Sequence, residues 1–150
     1  MFHNILIATD GSELGDKALA AALNLGKGSG GKVTVLTVTD PVTSMVGGTG
    51  GFGQIDAGPL INKLEEGYRE TAGKVLTAAQ QQAQALGTAV ETLHLPDHLA
   101  ADGIIQTAEQ RGADLIVMGS HGRRGLGRLL LGSQAAEVLA RAKVPVLVVK

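Results

Sequence analysis

The chain contains no cysteine among its 150 residues. Disulfides, thiolate metal sites and a cysteine nucleophile are therefore excluded, and the composition fits a reducing compartment. Tryptophan is absent too, and Phe2, Phe52 and Tyr68 are the only aromatics. Platforms on which bases could stack are scarce, and a formal charge of −1 gives no net pull toward nucleic acid or an anionic membrane. Neither is an expected partner. Nowhere do about 18 apolar residues run together, as a bilayer span would need. The short stretch from Ile5 to Ala8, cut off by Asp10, is too brief for a signal-peptide core. The expectation is a soluble, cytoplasmic protein.

What the chain has in quantity is small and aliphatic: 44 % hydrophobic residues and 22 glycines. A core of Ala, Val, Leu and Ile suits helices packed on a buried sheet. A chain of this length is most simply one domain, residues 1–150, burying roughly two-thirds of the surface its unfolded form would expose.

Two kinds of segment alternate. Ile5 to Thr9, Val33 to Val38, Ala89 to Leu95, Leu115 to Met118 and Pro145 to Val149 are short and rich in branched residues, as strands are. Between them lie helical stretches, the clearest marked by Ile61, Leu64, Tyr68, Val75, Ala79 and Leu86, whose spacing keeps one apolar stripe on one face. Pro59 sits near its start and Gly87 just past its end. A helix is also predicted over Glu13 to Leu25 with Ser12 as its cap, and another over Leu99 to Gln110 with Asp97 available as a cap. This alternation implies right-handed crossovers and a mostly parallel sheet covered on both faces. Ligands of such sheets bind at the carboxyl ends of the strands, where strand order reverses. The segment Pro41 to Gly58, with six glycines and no periodicity, reads as a loop.

The most informative stretch runs from Met118 to Ser133. Gly119 and Gly122 are followed by nine residues and then Gly132-Ser133, between a predicted strand and a predicted helix. Glycines here can leave backbone N–H groups uncovered, and the positive end of a helix dipole favours a phosphate. The alternative is that they only make turns.

Other patterns fail on context. Gly26-Lys-Gly-Ser-Gly-Gly31-Lys32 has Walker A glycine spacing, but Val33 stands where Ser or Thr is required. It also follows a helix and enters a strand, the reverse of a phosphate loop, and reads as a helix stop and turn. Gly48-Thr-Gly50-Gly51-Phe52-Gly53 neither closes a strand nor opens a helix. His94, Asp97 and His98 could share a helical face only if Pro96 did not break it, so no metal site is expected. Around Ser120 the first glycine of a Gly-x-Ser-x-Gly nucleophile elbow is missing. His121 is a base, a positioning donor or an exposed side chain. Arg123, Arg124 and Arg128 form a basic loop from which one arginine could reach a γ-phosphate.

Four blocks in order, Asn4-Ile-Leu-Ile-Ala-Thr-Asp-Gly-Ser12, Asp114-Leu-Ile-Val-Met-Gly-Ser-His-Gly-Arg123, Leu129-Leu-Leu-Gly-Ser133 and Val144-Pro-Val-Leu-Val-Val149, resemble the universal stress protein family, specifically its ATP-binding branch. The resemblance implies a Rossmann-like α/β fold with a five-stranded parallel sheet, order 3-2-1-4-5, and helices on both faces. Asp10 would then face Gly119 across the switch point. It also implies that Gly119, Gly122, Gly132 and Ser133 hold a triphosphate through backbone N–H groups and one hydroxyl. Asp10 would lie near base and ribose, with Ala8 and Thr9 lining the same wall and Ala8 replacing the proline common there. Val38 would offer its backbone to the adenine edge, a mode that needs no aromatic. Met118, His121, Arg123 and Gln134 would be second-rank contacts, and Mg2+ would arrive with the phosphates. Leu95-Pro-Asp-His98 departs from the family, which has a small residue, often glycine, before the third helix.

Three functions follow as expectations. The first is an ATP-dependent regulatory module in stress response, whose conformational or dimer equilibrium is read by a protein partner. The second is a slow ATPase or phosphotransferase using Asp10 or His121. The third is a homodimer joined through its apolar C-terminal strand, with a vestigial site.

Overall fold

The computed structural model describes residues 1–43, 57–122 and 131–150. Among these, five short strands alternate with four helices: β1 (Asn4–Ala8), α1 (Glu13–Ser29), β2 (Lys32–Val38), α2 (Gly58–Ala85), β3 (Val90–Leu95), α3 (Ala100–Arg111), β4 (Leu115–Gly119), α4 (Ser133–Arg141) and β5 (Val146–Val149). All four strand pairings are parallel, and the order is β3-β2-β1-β4-β5. This is the expected Rossmann-like α/β sheet, with β1 beside β4 at its centre. No helix among the described residues is long and apolar enough to cross a membrane.

The strand period of two sends alternate side chains to opposite faces. Ile5, Ile7, Val33, Val35, Leu115 and Val117 point to one side, where α1 and α2 cover them. Leu6, Leu36, Ile116 and Met118 point to the other, under α3 and α4. Both faces are apolar, as a sheet between two helical layers requires.

Three local differences from expectation have identifiable causes. α1 continues past Leu25 to Ser29, through Gly26 and Gly28, and ends at Gly30 with φ 67°. A Cβ on Gly26 would run into the Val33 side chain, so this glycine permits close helix–strand approach and does not stop the helix. On α2 the buried stripe is Ala72, Leu76, Ala79 and Ala83. Three alanines, less conspicuous than Ile61, Leu64 or Val75, make the closest contact because their small side chains let the helix settle onto the core. Asp97 does not cap α3: Leu99 holds that position, and Asp97 adopts φ 64°. At Asp97 the chain thus takes a left-handed conformation in which a glycine would cost least.

At the amino ends of the strands, side chains bind the backbone. Asp114 accepts from His3 N–H at 2.7 Å and Asn4 N–H at 2.9 Å, one on each carboxylate oxygen. Asn4 in turn donates its amide to Arg111 O at 2.6 Å and Gly112 O at 3.0 Å.

Candidate functional site

The carboxyl ends of β1 and β4 form the switch point, with Ala8 opposite Met118 in the register. Beyond Ala8 the chain turns sharply into α1. Thr9 N–H reaches across to Leu36 O at 3.0 Å, and Thr37 Oγ1 donates to Thr9 O at 3.0 Å, so β2 holds the first residue of the turn. Thr9 Oγ1 accepts from Gly11 N–H at 3.1 Å, and Asp10 Oδ1 accepts from Ser12 N–H at 3.0 Å. Ser12 Oγ then caps α1 by accepting from Gly15 N–H at 3.1 Å, the expected cap. Gly15 itself lies so close that a Cβ would overlap Thr9 Oγ1.

The Ser12 N–H orients the Asp10 carboxylate toward the switch point. Its partner across the gap is Gly122 and not Gly119: a Cβ on Gly122 would stand 2.5 Å from Asp10 Oδ2. The register explains the offset. Ala8 pairs with Met118, so Thr9 is level with Gly119 and Asp10 lies one residue beyond. Gly119 packs instead on α1, where its Cβ would lie 3.1 Å from Leu14 Cβ.

Gly132 closes the site from the other end of the Gly-x2-Gly-x9-Gly-Ser pattern. Its N–H donates to Ser120 O at 2.7 Å, and a Cβ would lie 3.1 Å from the same oxygen and 3.3 Å from His121 Cα. The N–H expected to face a phosphate is thus used to dock the start of α4 on the end of β4. The donors available to an anion lie one residue further. Ser133, Gln134 and Ala135 precede the first intrahelical bond, Ala136 N–H to Gly132 O at 2.9 Å, so their N–H groups have no acceptor within α4. With the helix dipole they make an end whose electrostatics suit an anion. Ser133 is the first residue of the helix, and Gly132 is its cap.

The remaining predicted residues fall into four groups. Met118 is buried beneath α3 and α4, and Val38 packs against that same cluster at the end of β2. His121 is half-buried with Nδ1 3.3 Å from Ser120 Oγ, and Ser120 is buried. Gln134 uses its side-chain oxygen on α3, accepting from Ala101 N–H at 2.8 Å. Arg123, with Arg124 and Arg128, lies outside the described residues, as does most of the glycine-rich segment 41–58.

A separate cavity of about 190 Å³ opens at the ends of β2 and β3, lined by Thr39, Tyr68, Arg69, His94 and Pro96 among others. His94 Nε2 lies 2.9 Å from Thr39 Oγ1. Burial, aided by the Arg69 charge, lowers the His94 pKa from its ordinary value and favours the neutral ring. His98 Nδ1 pairs elsewhere, with Pro96 O at 2.7 Å. Among the described residues no group of three or more His, Asp or Glu side chains is placed to hold a metal ion.

Gly15 and Gly103 are the site-supporting residues that sequence reasoning missed. Both sit inside helices, where glycine costs about 1 kcal/mol relative to alanine, and that cost was the available signal of a close approach.

A sequence model of the universal stress protein family matches residues 1–150. The chain belongs to the universal stress protein family. Among its relatives in that family is universal stress protein MJ0531 of Methanocaldococcus jannaschii, 35 % identical over 150 residues, which cover all of this chain and 83 % of the relative. The solved structure of MJ0577 from the same organism superposes with a TM-score of 0.82 at 28 % identity, covering 100 % of this chain and 96 % of that one. Two more distant neighbours were solved with nucleotides. One is a universal stress protein in complex with cAMP, at 23 % identity and TM-score 0.68, covering 99 % of this chain and 97 % of that one. The other is the universal stress protein from Archaeoglobus fulgidus in complex with dAMP, at 22 % identity and TM-score 0.68, covering 99 % and 98 %. Both share the fold of this universal stress protein.

Proposed function

We propose that this chain binds ATP, accompanied by Mg2+, at the carboxyl ends of β1 and β4, and that occupancy shifts a conformational or dimer equilibrium which a protein partner reads in a cytoplasmic stress response. One observation supports the reading above others: Asp10, Gly122, Gly132 and the amino end of α4 lie around the sheet's switch point, where a side chain on Gly122 would run into the Asp10 carboxylate and one on Gly132 would press on Ser120 O and His121. A cradle kept open by two glycines, with a carboxylate on one side and helical N–H groups on the other, suits a ligand that has both hydroxyls and phosphates.

In this reading the N–H groups of Ser133, Gln134 and Ala135 and the Ser133 hydroxyl hold the phosphates. Gly119 and Gly122 let the backbone approach them, while Gly132 brings α4 into place. Asp10 accepts from the ribose, Ala8 and Thr9 form the wall beside it, and the Val38 backbone meets the adenine edge. His121 and Arg123 add outer contacts, and Met118, its side chain buried under α3 and α4, offers only its backbone. The metal comes bound to the phosphates and keeps most of its waters, so few protein ligands are needed. No carboxylate among the described residues is placed apart from Asp10 to activate an attacking water, which favours slow turnover and a regulatory role.

β5 supports the dimer half of the proposal. It is an edge strand of four apolar residues, with Leu147 38 % exposed, and an edge of that kind pairs readily with a second copy.

The test is to denature the purified protein without added ligand and identify any released nucleotide by chromatography and mass spectrometry, with Gly122→Val/Gly132→Val as the control. ATP or its products from wild type and none from a folded double variant would establish the site. If nothing is released and titration with Mg2+ and ATP gives no binding, the glycines are turns only.

A further inference from the structure

α3 begins without a side-chain cap from its own segment. The acceptor comes from another helix: Gln134, the second residue of α4, takes Ala101 N–H on its side-chain oxygen at 2.8 Å. The far end of α4 reinforces the attachment, with Arg141 Nη1 donating to Asp102 Oδ1 at 2.7 Å. α4 therefore holds the first turn of α3 at two points.

That turn also touches the end of β2. A Cβ on Gly103 would lie 2.9 and 3.0 Å from the two Val38 methyl carbons and 3.1 Å from Leu95 Cδ2, so the α3 backbone rests directly on these side chains. A continuous path runs from the start of α4 through Gln134, Ala101 and Gly103 to Val38. Its two termini are the two halves of the proposed nucleotide site, the anion-binding helix end and the wall proposed to meet the base.

We infer that Gln134 is a positioning residue: it fixes Val38 relative to the amino end of α4, and so sets how much the adenosine half of a nucleotide adds to the binding of its phosphates. The inference rests on the nucleotide reading above and concerns the Gln134 side chain alone: the backbone N–H, which every variant keeps, meets the phosphates, and the side chain has a part different from direct contact with the ligand. Moving α3 would leave the α4 N–H groups where they are and would shift only the base wall.

The test compares ATP with inorganic tripolyphosphate, both with Mg2+, by calorimetric titration of wild type, Gln134→Met and Gln134→Glu. Methionine keeps length and helix propensity but loses the acceptor, whereas glutamate keeps the acceptor and adds a charge. Gln134→Met is expected to weaken ATP about fivefold, the worth of one hydrogen bond, and to leave tripolyphosphate unchanged. Gln134→Glu is expected to weaken both ligands by a common factor, returning their affinity ratio to the wild-type value. Faster hydrogen exchange at Ala101 in the methionine variant, restored in the glutamate variant, would accompany this. Equal losses for both ligands in Gln134→Met would make Gln134 a direct phosphate contact and overturn the inference. A lowered Tm with both affinities unchanged would reduce it to a stabilising contact and overturn it equally. Wild type that binds neither ligand would overturn the nucleotide reading itself, and the positioning role with it.

Discussion

At the amino end of the sheet the strands are tied by side chains, and at the carboxyl end the turns are shaped by side chains left out. Asp114 and Asn4 bind four backbone groups between them, joining the start of β1 to the end of α3 and the start of β4. Lys32 N–H donates to His3 O at 2.8 Å and brings β2 into the same clasp. At the opposite end Gly15, Gly122 and Gly132 each occupy a place where a Cβ would press on Thr9, Asp10 or Ser120. The polar groups of the clasp are taken up by backbone partners within the fold, so their contribution at that end is to stability. The carboxyl end closes its turns on short hydroxyl and carboxylate side chains, and leaves the first N–H groups of α4 without intrahelical acceptors. One end of the sheet is consumed in holding the fold, and the other is left narrow and donor-rich, as the proposed nucleotide site requires.

The largest expected effect comes from breaking the clasp. Asp114→Ala strands two backbone donors that now have a charged acceptor. Allowing for their partial exposure, the cost is about 2 kcal/mol, or about 4–8 °C in Tm. ATP affinity of the folded protein should stay at the wild-type level, because the proposed site lies at the other end of β1. Acid should act on the same contact. Burial alone would raise the Asp114 pKa, but the N–H groups of His3, Asn4 and Asp114 itself outweigh it and hold the carboxyl below its ordinary value of 3.8. The stability it contributes is therefore complete above pH 3.8 and is lost as pH falls below that. A melt series in acid, in which the wild-type advantage over Asp114→Ala shrinks only below that pH, checks the sign.

Gly122→Ala reverses the pattern. The added methyl meets the end of the Asp10 side chain and not a backbone atom, so the carboxylate can swing aside and the fold should melt within about 2 °C of wild type. In the proposed site a displaced Asp10 would no longer meet the ribose, and ATP should weaken about tenfold, equivalent to about 1.4 kcal/mol. A variant that loses stability and keeps its affinity would show that Gly122 belongs with the structural end.

The sequence made the two ends unequally legible. Branched runs located the five strands to within a residue or so, and Ser12 was recognisable as a cap from its place before Glu13. Strand order came from the family pattern, since periodicity says nothing about which strands adjoin. At the carboxyl end the residue types were readable, but their duties were not. Whether the Gly132 N–H faces a ligand or Ser120 O depends on where β4 ends relative to α4, which only the closed fold determines. Gln134 likewise has a role only once α3 and α4 are neighbours. The clasp went unread because Asn4 and Asp114 are 110 positions apart and are joined by backbone partners that leave no complementary residue in the sequence.

A smaller effect is expected at Asp97, which lies at the carboxyl end but departs from its glycine-based construction. Its φ of 64° is strained for a residue with a Cβ, although aspartate tolerates this region better than most. Asp97→Gly should relieve that strain, partly offset by the greater freedom of glycine in the unfolded chain. A net gain of about 0.5 kcal/mol, seen as a Tm rise of about 1–2 °C, is expected. No rise would mean that the aspartate side chain stabilises the turn by as much as its backbone strains it.

The smallest effect should come from Glu91, an exposed member of the amino end. Its carboxylate lies 2.6 Å from Arg111 and 2.8 Å from Lys32, binding β3 to α3 and β2. The Arg111 hydrogen bond, followed by that from Lys32, lowers its pKa from 4.5 to about 2. Because the group is solvated and the ions are screened, Glu91→Gln at neutral pH and ordinary salt should shift Tm by no more than about 2 °C. The sign of the pH dependence is fixed even where its size is small. A depressed folded-state pKa means that the unfolded chain takes up the proton first, so the Glu91 contribution is complete above pH 4.5 and disappears as pH falls toward about 2. Wild type and Glu91→Gln should therefore converge across that interval. A difference that persisted at the acid end, where both side chains are neutral and of the same shape, would assign the contact to neutral hydrogen bonding and not to charge, and would leave Asp114 as the acid-sensitive group of the clasp.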